Sequence, residues 1–295
     1  MPTGKLLRAG EFFFFLFLTF VLALVPFGLA RRFGAFAGRL LYRLWGGRRR
    51  IALENIGEAV SRGALSAAPS TEEIALGCFE NLGVSFVELV KVYCGLGGNL
   101  LGGITINGAE NFLWARQSGR GIIFVTAHAG NWELLALKSG LEYGGIGVVA
   151  RPLNNPYLNR FLERARSRFG NHVIYKKGAL RRLLALLKSG GMVGILMDQA
   201  VLKDEGRVVP FLGRGAWTTR MPLVLAKRTG AAVFPAFIRR TASGHEITIY
   251  PEADLGGTEE EVLGRLNLAI EKFVSESPSE WLWIHRRWKR VEHTS

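Results

Sequence analysis

Apolar positions along the chain fall into two regimes. Up to about residue 104 they come in long helical stretches; beyond it they form short runs separated by segments of helical period. The first regime opens with FFFFLFLTFVLALVPFGLA, residues 12–30, nineteen positions without a charge. That is long enough for a helix to cross the hydrocarbon of a bilayer. Residues 31–60 mix arginine with Phe, Leu, Tyr and Trp, the pattern of a helix that lies on a membrane and reaches phosphates with its guanidinium groups. Residues 63–73 read as a loop in which Ser70 or Thr71 caps a helix running to about Tyr93. The glycine-rich stretch 95–103 marks a boundary.

In the second regime the candidate strands are 121–127, 145–150, 172–175, 192–197, 231–238 and 245–251. Helical patterns lie at about 131–140, 155–169, 179–189 and 218–229. Apolar strands without alternation, separated by helices, predict an α/β fold: a mixed, mostly parallel sheet flanked by helices. The expected organisation is a membrane anchor at 1–32, a helical basic membrane-surface region at 33–103 and an α/β domain at 104–295. Functional groups in such sheets gather beyond the carboxyl ends of strands. His128, Arg151 and Asp198 all stand at such ends.

Charge changes the picture of partners. Lys and Arg number 38 against 24 Asp and Glu, a net charge of +14, which favours anionic partners without choosing among them. Basic residues are denser after the apolar run (Arg31, Arg32, Arg39, Arg43, Arg48, Arg49, Arg50) than before it (Lys5, Arg8). The bias puts the large C-terminal part in the cytoplasm. Arg31 and Arg32 stand between the run and AFA at 35–37, the wrong order for a cleaved signal peptide, so the anchor is expected to stay. Pro26 and Gly28 weaken its last turn and keep open a variant in which the helix only dips into the near leaflet. The two cysteines, Cys78 and Cys94, have no metal-type spacing and do not make a disulfide framework.

Candidate chemistry centres on TAHAGNWELLA, residues 126–136. Residues five apart do not face each other on a helix, so His128 and Glu133 meet only if the chain turns between them. Gly130 and Asn131, a natural helix cap, supply that turn. A carboxylate beside an imidazole fixes its tautomer and makes it a competent general base. The alternative is that Glu133 only complements a helix N-terminus and His128 is a polar loop residue. Spacing alone leaves both open.

TAHAGNWE, ARPLNNPYLNRFLERAR, ILMDQ, VVPFLGRGAWTTRMPLVLAKRTGAAVFPAFIRR and WLWIHRRWK, in this order, resemble the lipid A biosynthesis acyltransferases, the late acyltransferases of the lysophospholipid acyltransferase superfamily. The resemblance covers nearly the whole chain, including RRRIALENIGEAV and the N-terminal apolar run. It implies a glycerolipid acyltransferase-like fold at the bacterial inner membrane. It also implies transfer of a fatty acyl chain from acyl carrier protein to a hydroxyl of an acyl chain on a lipid A precursor or related glycolipid. His128 would take the proton of the hydroxyl, which attacks the thioester directly, and Glu133 would orient His128. A thioester is already activated, so no cofactor and no metal are implied.

By the same resemblance Arg151 belongs to the active site, and Asp198 would hold Arg151 or the acceptor sugar. Asn131, Gln199, Arg207, Phe211, Gly213 and Thr218 would shape the acceptor and acyl sites. A plain turn role for Asp198 and a helix cap for Thr218 stay open beside these. The ending EWLWIHRRWKR mixes aromatics with cations, as a bilayer interface selects; His285 within it reads as structural rather than as a second base. Nucleic acid is not an expected partner, because no recognisable module accompanies the basic charge, and a monomer is the default expectation. Two other readings remain: an acyltransferase of the same superfamily acting on a lysophospholipid or another acylated glycolipid, and a non-catalytic basic binding protein tethered to the membrane.

Overall fold

Pro26 cannot continue a helix, and it divides the apolar run in two. In the computed structural model, which describes residues 3–175, 178–289 and 291, α1 (Thr3–Leu24) ends just before it and α2 (Phe27–Leu44) begins just after it. A break at Trp45 then separates α2 from α3 (Gly46–Ser61). The fourth helix, α4 (Thr71–Tyr93), starts at a full capping box: the Ser70 hydroxyl accepts from the Glu73 N–H, and the Glu73 carboxylate accepts from the Ser70 N–H. Helices α2 and α4 pack closely because glycines face each other. A Cβ at Gly38 would lie 2.2 Å from the Phe79 carbonyl, and one at Gly83 2.0 Å from the Gly34 carbonyl.

Beyond the short α5 (Gly98–Gly102) the chain alternates strands and helices. In order they are β1 (Ile104–Asn107), α6 (Ala109–Gln117), β2 (Ile122–Thr126), α7 (Trp132–Tyr143), β3 (Gly147–Ala150), α8 (Pro156–Ser167), β4 (His172–Tyr175), α9 (Ala179–Lys188) and β5 (Met192–Leu196). They continue with β6 (Gly206–Phe211), β7 (Arg214–Thr219), α10 (Met221–Thr229), β8 (Ala232–Arg240), β9 (His245–Ile249) and α11 (Glu259–Glu276). Seven strands form one sheet in the order β1-β9-β8-β2-β5-β3-β4. All neighbours are parallel except β8 and β9. This is the mixed, mostly parallel, helix-flanked sheet that the apolar runs predict. Central β2 is buried at every position, as a strand covered on both faces must be.

Five elements depart from the sequence expectation. Strand β1, helix α6 and helix α11 lie in stretches without an assigned element. Residues 206–219 form a β-hairpin, β6 with β7, where the helix was expected to start at 218. Thr218 is therefore a strand residue, and α10 begins at Met221 after Arg220, which makes no side-chain cap. Leu212 and Gly213 turn this hairpin with φ of 49° and 74°, the left-handed region that glycine enters without penalty.

The C-terminal block also differs from expectation. Trp281, Trp283 and Trp288 are 1%, 0% and 3% exposed, so these aromatics belong to the core and not to a bilayer interface. Arg287 is buried with them: its guanidinium lies 5.1 Å over the Phe211 ring and donates to the Thr218 hydroxyl at 2.7 Å. Here the rings and Arg287 build an interior, its charge held against a π face and an oxygen, while Arg286 and Lys289 are exposed. Arg290, near the end of this block, lies outside the described residues.

Candidate active site

The register of the central sheet builds the site. Parallel pairing of β2 with β5 matches Thr126 with Leu196, so two residues further on His128 and Asp198 stand side by side beyond the strand ends. His128 Nδ1 lies 2.8 Å from Asp198 Oδ1, and the His128 backbone N–H donates to Oδ2 at 3.0 Å. Trp281 Nε1 donates to the same Oδ2 at 2.9 Å. Asp198 is buried, 2% exposed, and three donors hold it as an anion. Burial alone would raise its pKa, but the His128 imidazole and the hydrogen bonds from His128 and Trp281 outweigh that and lower it.

An ionised Asp198 at Nδ1 fixes the proton there and leaves the lone pair on Nε2. Gln199 places its side-chain nitrogen 3.1 Å from Nε2, and the Trp132 ring meets the imidazole edge-on at 5.2 Å. Burial pulls the His128 pKa down, while the Asp198 charge and hydrogen bond and the Glu133 field push it up; the net direction is up. The turn carrying His128 is clamped on its far side. Its carbonyl accepts from the Leu282 N–H at 3.0 Å, and the Gly130 N–H donates to the Glu280 carbonyl at 2.9 Å.

Glu133 is not the group that orients His128. Its carboxylate is taken by Arg166 of α8, with Nε at 3.0 Å from Oε2, and by the Tyr93 hydroxyl at 3.3 Å. Asp198 takes the position expected of Glu133, and it holds His128 rather than Arg151. Arg151 stands exposed after β3. Asn131 is 2% exposed and wholly used in the turn: Oδ1 caps α7 at the Leu134 N–H, and Nδ2 donates to Ser85 and Glu88 of α4. It therefore supports the site from beneath.

The hairpin residues stand apart from His128 in their contacts. Arg207 pairs with Glu259 at 3.4 Å and Glu260 at 3.2 Å. Phe211 is fully buried against Trp281 and Trp288. A Cβ at Gly213 would press on Arg62 at 2.9 Å. Thr218 accepts from Arg287 and Asn267. His285 is half-buried, and burial pulls its pKa down to about 4, so at neutral pH it carries no charge.

An apolar cavity runs between α7 and the sheet, with Phe124, Leu135, Val148, Gly194, Leu196 and Ala236 in its lining. Trp132 lines it too, so the ring that touches His128 also forms part of the wall. Glu133 and Arg166 are its charged members, paired with each other. At Gly194 an added Cβ would find Ile146 at 3.6 Å, ordinary contact distance, so the missing side chain leaves room in the cavity. Trp281, Arg166 and Tyr93 are site residues that sequence reasoning missed. They are remote from His128 in the chain; Arg166 and Trp281 stand inside the quoted blocks, but nothing local marks either as a partner of the site.

Comparison with known proteins places this geometry. Residues 3–290 match the sequence profile of the bacterial lipid A biosynthesis acyltransferases. The lipid A biosynthesis palmitoleoyltransferase of Escherichia coli is 28% identical over 265 residues, covering 88% of this chain and 84% of that one. The lipid A biosynthesis lauroyltransferase of the same organism is 25% identical over 270 residues, with 90% and 87% covered. A phosphatidylinositol mannoside acyltransferase of Mycolicibacterium smegmatis is 27% identical over 183 residues, 60% of each chain. With a profile match from end to end around a strand-end histidine and an apolar cavity, the chain belongs to the bacterial lipid A biosynthesis acyltransferase family.

Proposed function

We propose that this protein moves a fatty acyl chain from the thioester of acyl carrier protein to a hydroxyl of an acyl chain on a lipid A precursor, at the cytoplasmic face of the inner membrane. The observation that carries the reading is His128, held at Nδ1 by a buried carboxylate and standing beside an apolar cavity. In the reaction, Nε2 takes the hydroxyl proton as the oxygen attacks the thioester carbonyl. The tetrahedral intermediate then expels the thiolate, which recovers the proton from the imidazolium. Asp198 holds the ring in the reactive tautomer and balances the charge that His128 gains. No covalent acyl-enzyme is needed. The cavity between α7 and the sheet takes the acyl chain, and the net charge of +14 favours encounter with an acidic carrier and a phosphorylated acceptor.

The test is transfer from a panel of acyl carrier protein thioesters to a tetra-acylated lipid A precursor in detergent micelles. Wild type should transfer, and His128→Ala should lose roughly 10²-fold to 10⁴-fold in kcat, the usual contribution of a general base. Full activity in His128→Ala would overturn the mechanism. A second acceptor class is favoured by the likeness to a phosphatidylinositol mannoside acyltransferase. Transfer by wild type to an acylated glycolipid or a lysophospholipid, and not to lipid A precursor, would keep the chemistry and change the acceptor.

A further inference from the structure

By length and composition, α1 passes as a membrane-crossing helix: residues 5–24 have a mean hydropathy of 1.9. Its contacts point elsewhere. Within the helix the uncharged stretch runs only from Phe12 to Leu24, because Lys5, Arg8 and Glu11 precede it and Pro26 closes it. At 1.5 Å per residue that stretch covers about 20 Å, against a hydrocarbon core of about 30 Å.

Both ends of α1 are also bonded to the body. Near the start, buried Asn155 at the head of α8 donates to the Arg8 carbonyl at 2.8 Å and to the Glu11 carboxylate at 3.0 Å. Phe12 then stacks on Tyr157 at 5.9 Å, and Phe15 meets the Phe161 ring at 5.5 Å. At the far end Lys91 of α4, 4% exposed, reaches the carbonyls of Ala23, at 2.6 Å, and Val25. A cation at the C-terminal carbonyls also suits the helix dipole.

The opposite face of α1 is bare. Phe13, Phe14, Phe17, Phe20 and Leu24 are between 62% and 70% exposed. The outer face of α2 adds Leu29, Phe33, Phe36, Leu40 and Leu44, with exposed Arg32, Arg39 and Arg43 among them. So large an apolar face is rare on a soluble monomer. A rim of arginine suits anionic headgroups, with the apolar rings sunk below them.

We propose that α1 lies flat in one leaflet, against the body of the protein, and does not cross the bilayer. If it crossed, Asn155 and Lys91 would be carried to opposite surfaces. The body between them, with exposed Arg160 and Arg164 on α8, would sit at the depth of the hydrocarbon. Each such charge is costly at the centre of a bilayer even on the most lenient scale. In the flat arrangement Arg160 and Arg164 stay in water and both faces of α1 are covered. The inference is independent of the acyl-transfer chemistry, and its test reads no activity.

The experiment uses the full chain in sealed inverted membrane vesicles, with the exposed Cys94 replaced by serine and buried Cys78 retained. Lys5→Cys, Phe17→Cys and Arg32→Cys are each treated with a membrane-impermeant maleimide. Lys5→Cys and Arg32→Cys should label to the same extent before permeabilisation, while Phe17→Cys should react only with a membrane-permeable maleimide. Labelling of Arg32→Cys before, and of Lys5→Cys only after, permeabilisation would mean a crossing helix and overturn the proposal. Free reaction of Phe17→Cys with the impermeant reagent would remove the lipid cover. A disulfide-linked Phe17→Cys dimer would assign the face to a second copy, and either result also overturns it.

Discussion

His128 is held by a partner seventy positions away, and that fact governs what its neighbours do. Asp198→Asn removes the charge but keeps the shape, so the imidazole loses the partner that selects its tautomer. Acyl transfer should then fall by roughly 10⁴-fold, in line with the loss when a buried orienting aspartate becomes asparagine, with folding kept. A loss below tenfold would mean that Asp198 only closes a turn. The pH profile carries a second prediction. In the proposed mechanism His128 must be neutral to act, and its pKa is raised by Asp198 and Glu133 beyond what burial takes away. The acid limb of kcat/KM should thus lie above the ordinary imidazole value of about 6.5. Glu133→Gln should move it down, because the field is lost while the Asp198 bond stays; an upward move would contradict this. The histidine was legible in the sequence because it ends an apolar strand. Asp198 was legible as another strand-end residue, but its pairing with His128 was not, because the pairing of β2 with β5 is a fact of tertiary register, and the nearer Glu133 was visible only as a neighbour in the chain. That Glu133 turns to Arg166 depends on where α8 packs.

At the level of elements, absent side chains make the space that matters. Gly194 sits in β5 on the floor of the apolar cavity, and a small side chain there meets nothing closer than Ile146 at 3.6 Å. Gly194→Val should fold and shift the donor preference to shorter acyl chains. The longest donor used by wild type should lose about 10-fold to 200-fold in kcat/KM, the range for a methylene or so of pocket depth. An unchanged chain-length profile would place the acyl chain elsewhere. Gly83 predicts the reverse outcome. Its Cβ would lie 2.0 Å from the Gly34 carbonyl, so Gly83→Ala must push α2 off α4 and cost about 1 to 3 kcal/mol, read as a lower unfolding midpoint. Long elements with an apolar face, such as α4 and the central strands, were legible from periodicity and caps. The hairpin of β6 and β7 was not, because VVPFLGRGAWTT has a glycine turn but also a threonine where a helix cap belongs. The edge strand β1, four residues beside a glycine-rich stretch, has too little period to read.

Across the whole molecule, one buried carboxylate ties helices α2 and α4 to the turn that carries His128. Glu88 of α4 is fully buried. Arg240 at the end of β8 donates to it at 2.9 Å, Asn131 at 3.0 Å, and Arg31 of α2 lies 3.4 Å away. His245 approaches to 3.2 Å. Arg240 also bonds Asn81 and Ser85, and its backbone N–H donates to Glu280. Burial would raise the Glu88 pKa, but His245 and Arg240 bring it down to about 2 from the usual 4.5. A pKa depressed in the folded state stabilises it fully above the unfolded value, and that stability is lost as pH falls from 4.5 towards 2. The difference is worth about 3 kcal/mol. Burial holds the Glu280 pKa up, which acts in the window above 4.5 and so does not offset the Glu88 decline below it. Glu88→Gln should therefore lower the stability at pH 7, through uncompensated Arg240 and Arg31, by about 3 to 5 kcal/mol, read from the unfolding midpoint. It should also flatten the decline of stability between pH 4.5 and 2. A variant that keeps the wild-type slope over that range would mean that the charge at the junction of α2, α4 and the His128 turn is not carried by Glu88.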